Sequence, residues 1–229
     1  MRIDLNADVA ESAHDLALLD VVTSANVCCG AYAGGEELML DACERAVERG
    51  VVIGAQVGYP DREGFGRRPQ EPTSEDLVDE LRAQVDLLAE VADAVGARVA
   101  YVKPHGALYN TVVHDERQAA AVVEAVGPYG LPLLGLPGAA SLRRAAAEGL
   151  PTVSEGFADR AYTAAGTLVP RDQPGAVLGD ADEVVAQALR LAGQVDSLCV
   201  HGDSPDALTL VRAVRTALAD AGHEVGPFA

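Results

Sequence analysis

Two textures alternate along the chain. Short runs rich in Val, Ile, Leu and Cys are separated by longer Ala/Leu/Val/Glu/Arg stretches whose apolar positions recur at helical spacing. The runs predict strands over Arg2–Asp8, Val21–Cys28, Val51–Val57, Arg98–Pro104, Pro132–Leu136, Thr152–Ala158 and Ser197–Asp203. The stretches predict helices over Glu36–Arg49, Glu75–Val95, Asp115–Val126, Ala139–Glu148, Asp182–Ala192 and Pro205–Ala221. Thr73 or Ser74 precedes an acid-rich first turn, and Asp115 and Ser204-Pro205 open other helices. Gly50, Gly96, Gly149 and Gly222 stand just past helix ends, where a left-handed residue is wanted. Repeated strand–helix units imply parallel strands joined by right-handed crossovers. Seven such strands predict one α/β domain over residues 1–229, a barrel-like, TIM-like fold, with a doubly wound open sheet as the main alternative. Two long irregular stretches, Gly58–Thr73 and Asp159–Asp180, are rich in Gly, Pro and Arg and suit lids or partner contacts.

The strands themselves carry an unusual pattern. Residues two apart share a face, so Ile3, Leu5 and Ala7 oppose Asp4, Asn6 and Asp8 on the first strand. The apolar set suits the helix-covered side, which turns two aspartates and an asparagine into the barrel. That is costly unless they bind something or satisfy one another. Ser24, Asn26 and Cys28 share a face on the second strand, and Lys103 and His105 at the end of the fourth. Glu155, Phe157 and Asp159 align on the sixth, as do Cys199, His201 and Asp203 on the seventh. Most of these groups lie near the carboxyl ends of their strands, where α/β barrels and open sheets carry their sites. Taken singly, each also suits a satisfied buried polar residue, and Asp203, just before Ser204-Pro205, equally suits a helix cap. His14, His114 and His223 fall outside the strand ends and read as surface or loop residues. Arg67-Arg68, Arg160 and Arg171 on the two long stretches suit either anion binding or loop-anchoring ion pairs.

Composition narrows the partners. With 35 acids against 17 bases, the formal charge is −18. So acidic a chain is expected to bind neither nucleic acid nor anionic membrane. Lys103 is the only lysine, and it follows Val102 and precedes Pro104, so no Walker-type phosphate loop is present. There is no Gly-x-Ser-x-Gly elbow and no histidine pair at zincin spacing. Cys28, Cys29, Cys43 and Cys199 form no CxxC pair and read as reduced, buried thiols, which together with the lack of an apolar segment after Arg2 predicts a cytoplasmic protein.

The runs DLNADVAE, TSANVCCG, GAQVGYPDREGFGRRP, YVKPHGALYN, EGFADRAYTAAGTLVPRDQPGAV and CVHGDSPDA resemble, in order and over nearly the whole chain, the LamB/YcsF family. The resemblance implies a barrel akin to polysaccharide deacetylases. It also implies an activity as the A component of a 5-oxoprolinase, which with subunits B and C opens the 5-oxoproline lactam to glutamate, driven by ATP. Several motif positions differ. Ala10 stands where the first motif has Gly, and Ser12-Ala13-His14 where it has a glycine-rich aromatic loop. Ala31, Tyr32 and Gly35 replace Phe, His and Asp of the second, and Gln56-Val57 replaces the His-Pro of the third. The segment before CVHGD, Gln194–Asp196, looks shortened.

Lactam opening needs a polarised carbonyl, a nucleophilic water and a proton for the leaving nitrogen. Lys103 is suited to hold a carboxylate or phosphate, and His105 and His201 to act as general acid and base. Asp8, Asp159 and Asp203 are suited to orient them or activate water. Asp4, Asn6, Asn26, Asn110, Glu155, Arg160 and Arg171 complete the candidate substrate-binding set. One alternative is a metal-dependent amide hydrolase or deacetylase with Asp8, His105 and His201 as ligands; another is a non-catalytic lactam-binding subunit.

Overall fold

The computed structural model describes residues 1–202 and 206–229. Seven parallel strands form the inner layer: β1 (Arg2–Val9), β2 (Ser24–Cys28), β3 (Val52–Val57), β4 (Val99–Pro104), β5 (Leu133–Gly135), β6 (Thr152–Phe157) and β7 (Ser197–Cys199). They pair in chain order from β2 to β7, and β1 lies between β7 and β2 and closes the ring. Closure excludes the open-sheet alternative. A two-residue β8 (Glu224–Val225), which no apolar run announces, pairs with the start of β1.

The connecting helices are α1 (Glu36–Arg49), α2 (Ser74–Ala94), α3 (Gly106–Thr111), α4 (Glu116–Val126), α5 (Ala140–Ala147), α6 (Ala181–Leu191) and α7 (Ala207–Asp220). Thr73 accepts the Asp76 N–H to start α2, and Asp115 accepts the Gln118 N–H to start α4. Asp180 caps α6 from two residues outside the predicted start by accepting the Asp182 and Glu183 N–H groups. α3 is too short for periodicity to reveal. Among the described residues, no helix is long and apolar enough to cross a membrane.

The apolar face of each strand packs on the helices, with Ile3, Leu5, Ala7 and Val9 of β1 all buried there. The opposite face fills the barrel in layers. At the amino-terminal end, Asp4 accepts hydrogen bonds from the hydroxyls of Thr23 (2.6 Å), Ser24 (2.7 Å) and Ser197. Above it, Asn6, Asn26 and Tyr101 bond to one another, with Tyr101 Oη donating to Asn26 Oδ1 at 2.7 Å. Tyr101 fits because β4 carries a bulge opposite Ile53/Gly54 and because Gly54 has no side chain. A Cβ there would lie 2.2 Å from the tyrosine ring. Gly54→Ala is therefore expected to overpack the interior and cost about 1–3 kcal/mol in urea unfolding. An unchanged midpoint would show that the ring is free to move.

Candidate active site at the strand ends

The third interior layer is charged. Lys103 rises from β4 into the centre of the barrel, 2% exposed, and donates to Glu155 Oε1 of β6 at 2.7 Å and Asp8 Oδ1 of β1 at 3.2 Å. Its amino group also lies 3.4 Å from Cys199 Sγ and 5.2 Å from the centre of the Phe157 ring. Burial opposes the charge on Lys103, but Asp8 and Glu155 more than offset it and hold its pKa well above the usual lysine value. Burial would likewise raise the Asp8 carboxyl, yet the charge of Lys103 keeps it well below the normal range. Burial pushes the Cys199 thiol up, so it meets the ammonium as a neutral group.

Above this layer opens a cavity of about 700 Å³. Asp8 and Lys103 contribute to its floor, with His105, Tyr109, Phe157 and His201 among its walls. Both long irregular stretches reach it. The segment between β6 and α6 folds into a flap through the antiparallel bridges Arg160–Val177 and Tyr162–Leu168. Arg160, buried, ties the flap down by donating to the carbonyls of Ala176 (3.1 Å) and Val169 (2.7 Å). Arg171 on the flap and Arg67 on the stretch after β3 line the rim.

The two histidines have different surroundings. His201 Nδ1 lies 3.0 Å from both oxygens of Asp159, and its backbone N–H donates to Asp159 Oδ2 at 2.9 Å. Its ring stacks on Phe157 with centroids 5.2 Å apart. Burial would raise Asp159, but the paired His201 holds its carboxyl below the usual value. A carboxylate only accepts, so the proton sits on Nδ1 and the Nε2 lone pair is left available. His105 follows β4 and stands at the N-cap position of α3, its side chain making no capping bond. Its Nε2 meets the Phe65 carbonyl at 3.1 Å, and its ring lies flat on Tyr32 with centroids 4.0 Å apart. Burial lowers its pKa to about 4, against the opposing pull of Asp8, so the ring is neutral at physiological pH.

The sequence-derived candidates thus separate. Asp8, Lys103, His105, Asn110, Arg160, Arg171 and His201 line the cavity, and Glu155 and Asp159 hold Lys103 and His201 from behind. Asp4 lies at the opposite end of the barrel, and Asn6 and Asn26 are fully buried with their amides spent on each other, Asp8, Glu155 and Ser197. Those bonds make them supports of the floor, not groups open to a substrate. Lys103 has its protons committed to carboxylates, so it acts as a fixed buried charge and not as an open clamp. Asp203 lies outside the described residues. Glu11, in the first quoted motif but past the strand where alternation stops reporting orientation, stands 3.5 Å from His105 Nδ1. His114, read from sequence as a loop residue, also reaches the cavity. The departures Tyr32 and Gln56 meet each other: Tyr32 Oη donates to Gln56 Oε1 at 2.8 Å.

Two measurements check this electrostatic layout. Lys103→Met leaves Asp8 and Glu155 without their cation and is expected to cost about 3–5 kcal/mol of stability. Adding Glu155→Gln should recover part of that loss, whereas strict additivity would mean that the charges do not interact. For His105, 15N NMR in the presence of a chelator should show the Nε2–H form persisting as pH falls to about 4. Protonation at about 6.5 would contradict its burial.

Comparison with known proteins agrees with the fold and the motifs. The model of the LamB/YcsF family matches residues 3–229. The A-type 5-oxoprolinase subunit of Streptomyces coelicolor is 52% identical over 249 residues, covering 99% of this chain and all of the relative. That of Mycobacterium ulcerans is 47% identical over 248 residues, covering 99% and 98%. The crystal structure of a lactam utilization protein from Thermus thermophilus superposes with a TM-score of 0.92 at 38% identity over the full length of both chains. A family 4 carbohydrate esterase from Streptomyces lividans shares the fold alone, with a TM-score of 0.58 at 13% identity, covering 100% of this chain and 93% of the esterase. With its motifs, its closed barrel and matching relatives along its whole length, the chain belongs to the LamB/YcsF family.

Proposed function

We propose that this chain is the A-type component of an ATP-dependent 5-oxoprolinase, which opens the lactam of 5-oxoproline to L-glutamate together with partner subunits B and C. The observation that carries the reading is the Asp159–His201 couple on the wall of a cavity floored by the buried Lys103 cluster. Relatives named as A-type 5-oxoprolinase subunits, matching over essentially the whole chain, support the substrate.

The couple supplies what an amide hydrolysis needs. Asp159 fixes the His201 tautomer, so Nε2 takes a proton from water as the water oxygen bonds to the lactam carbonyl carbon. The ring C–N bond then breaks, and the same imidazole returns the proton to the leaving nitrogen. His105, neutral with its Nε2–H directed at Phe65, is a poor proton source and positions instead of titrating. Lys103 keeps a permanent positive charge beneath the reacting carbonyl. Arg67 and Arg171 give the rim the charge a substrate carboxylate requires. ATP is consumed by the assembled enzyme to make a stable lactam yield. The four buried, unpaired cysteines fit a cytoplasmic location.

Co-expression with its B and C partners should give glutamate release from 5-oxoproline only when ATP is present. His201→Asn should lower kcat about 10²–10⁴-fold with the complex intact. Full turnover by that variant, or no turnover by the unaltered complex, would sink the reading.

A further inference from the structure

A second feature of the cavity floor is not explained by lactam opening and stands independently of it. Asp8 ends the interior face of β1, Glu11 follows on the next turn, and His105 approaches from the end of β4. One donor atom from each lies within 4.8 Å of the others. All three side chains are nearly buried, at 6%, 8% and 5% exposure. Among the described residues, this is the group of acids, histidines and cysteines whose donors converge, and His201 is not part of it.

The orientation of the imidazole gives the group its meaning. Because the Phe65 carbonyl can only accept, the bond at 3.1 Å places the ring proton on Nε2. Nδ1 therefore presents a lone pair, and what it faces is Glu11 Oε1 at 3.5 Å. Two acceptors opposed in a buried site need a positive centre between them. The separation is too long for a charge-assisted N–H···O bond, which spans about 2.7–2.9 Å. It matches the roughly 3–3.5 Å between neighbouring ligands of an ion held at about 2.0–2.2 Å from each. The bonds Asp8 accepts from Lys103 and Asn26 both fall on Oδ1, which leaves Oδ2 for a third bond to that centre.

The ligands are held in place. Tyr32 lies parallel to the imidazole, and the Asp15 carboxylate grips the turn by accepting the N–H groups of Ala10, Glu11 and Ser12. Asp8 and His105 both line the cavity, so a bound ion would keep an open face toward it.

We propose that Asp8, Glu11 and His105 form a binding site for one divalent transition-metal ion. Two carboxylates and an imidazole suit zinc or manganese and disfavour magnesium, which demands near-complete oxygen coordination. The site differs from an Asp8–His105–His201 set, because His201 offers no donor atom that converges with the other three within 4.8 Å.

The test uses the whole chain, purified without nickel affinity and stripped with chelator. Titration calorimetry and elemental analysis with Zn²⁺ or Mn²⁺ should show one ion per chain, and Mg²⁺ should bind at least tenfold more weakly. Glu11→Gln should weaken Zn²⁺ or Mn²⁺ at least tenfold, and His201→Asn should leave the affinity within twofold. Circular dichroism melts of both variants confirm folding. Should Glu11→Gln not fold, the retained nitrogen coupling expected in the electron-paramagnetic spectrum of Mn²⁺ on the unaltered chain replaces it. No stoichiometric ion, unchanged affinity in Glu11→Gln, or equal loss in His201→Asn would overturn the proposal. Because none of these readouts is turnover, they are separate from the lactam assay.

Discussion

The interior of this barrel is organised by one buried ammonium. Moving Lys103 out of water is costly, and only closely placed counter-charges offset that cost. They come from different strands: Glu155 from β6 and Asp8 from β1, with Asn6 and Cys199 completing the surroundings. The contact therefore joins β4 across the barrel to strands it does not pair with. It also requires a particular register. The bulge at Ile53/Gly54 brings Tyr101 and Lys103 inward opposite Gly54 and Gln56. A slip by one residue would send the ammonium into the helix layer and the apolar face into the interior.

The two ends of the barrel solve the burial of carboxylates differently. At the amino-terminal end Asp4 is enclosed by the hydroxyls of Thr23, Ser24 and Ser197, and burial raises its pKa. Neutral donors satisfy it, and nothing is left to react. At the carboxyl-terminal end Asp8 is kept ionised by Lys103 and faces the cavity. The same residue type on one strand is thus a sealed structural group at one end and a buried, ionised group at the cavity floor at the other. The layer between them, Asn6 with Asn26 and Tyr101, lets no amide stay unpaired and separates the two regimes.

Much of this was legible from alternation alone. The inward face of β1, the seven strands and the major helices follow from periods of two and 3.6, since both report burial directly. What alternation could not report is whom an inward group meets. Asn6 and Asn26 read as ligand groups because each looks unpaired along its own strand, and only closure of the ring pairs them. Lys103 read as a clamp for the same reason. Glu11 and His105 lie just past strand ends, where the period stops. There orientation is set by turns such as the left-handed Ala10, at φ 61°, which no pattern announces. β8 and α3 are too short to hold a period, and their formation depends on β1 and on the stretch containing Gly66.

The departures from the family motifs are best understood as a coupled pair. Tyr32 and Gln56 occupy two motif histidine positions, and they bond to each other at 2.8 Å with both side chains buried. Changing one alone would strand the other's polar group in the wall, at a cost of about 1–3 kcal/mol. The pair therefore keeps the wall closed where two imidazoles would have offered lone pairs. It also supplies the flat phenol face on which His105 rests, 4.0 Å away and nearly parallel. The His105 ring that rests on this pair has its Nδ1 facing Glu11 Oε1. Lys103 keeps its contacts with Asp8 and Glu155, and His201 separately keeps its contact with Asp159. The wall formed by this pair thus stands beside the charged floor of the cavity without drawing on the floor's own hydrogen bonds.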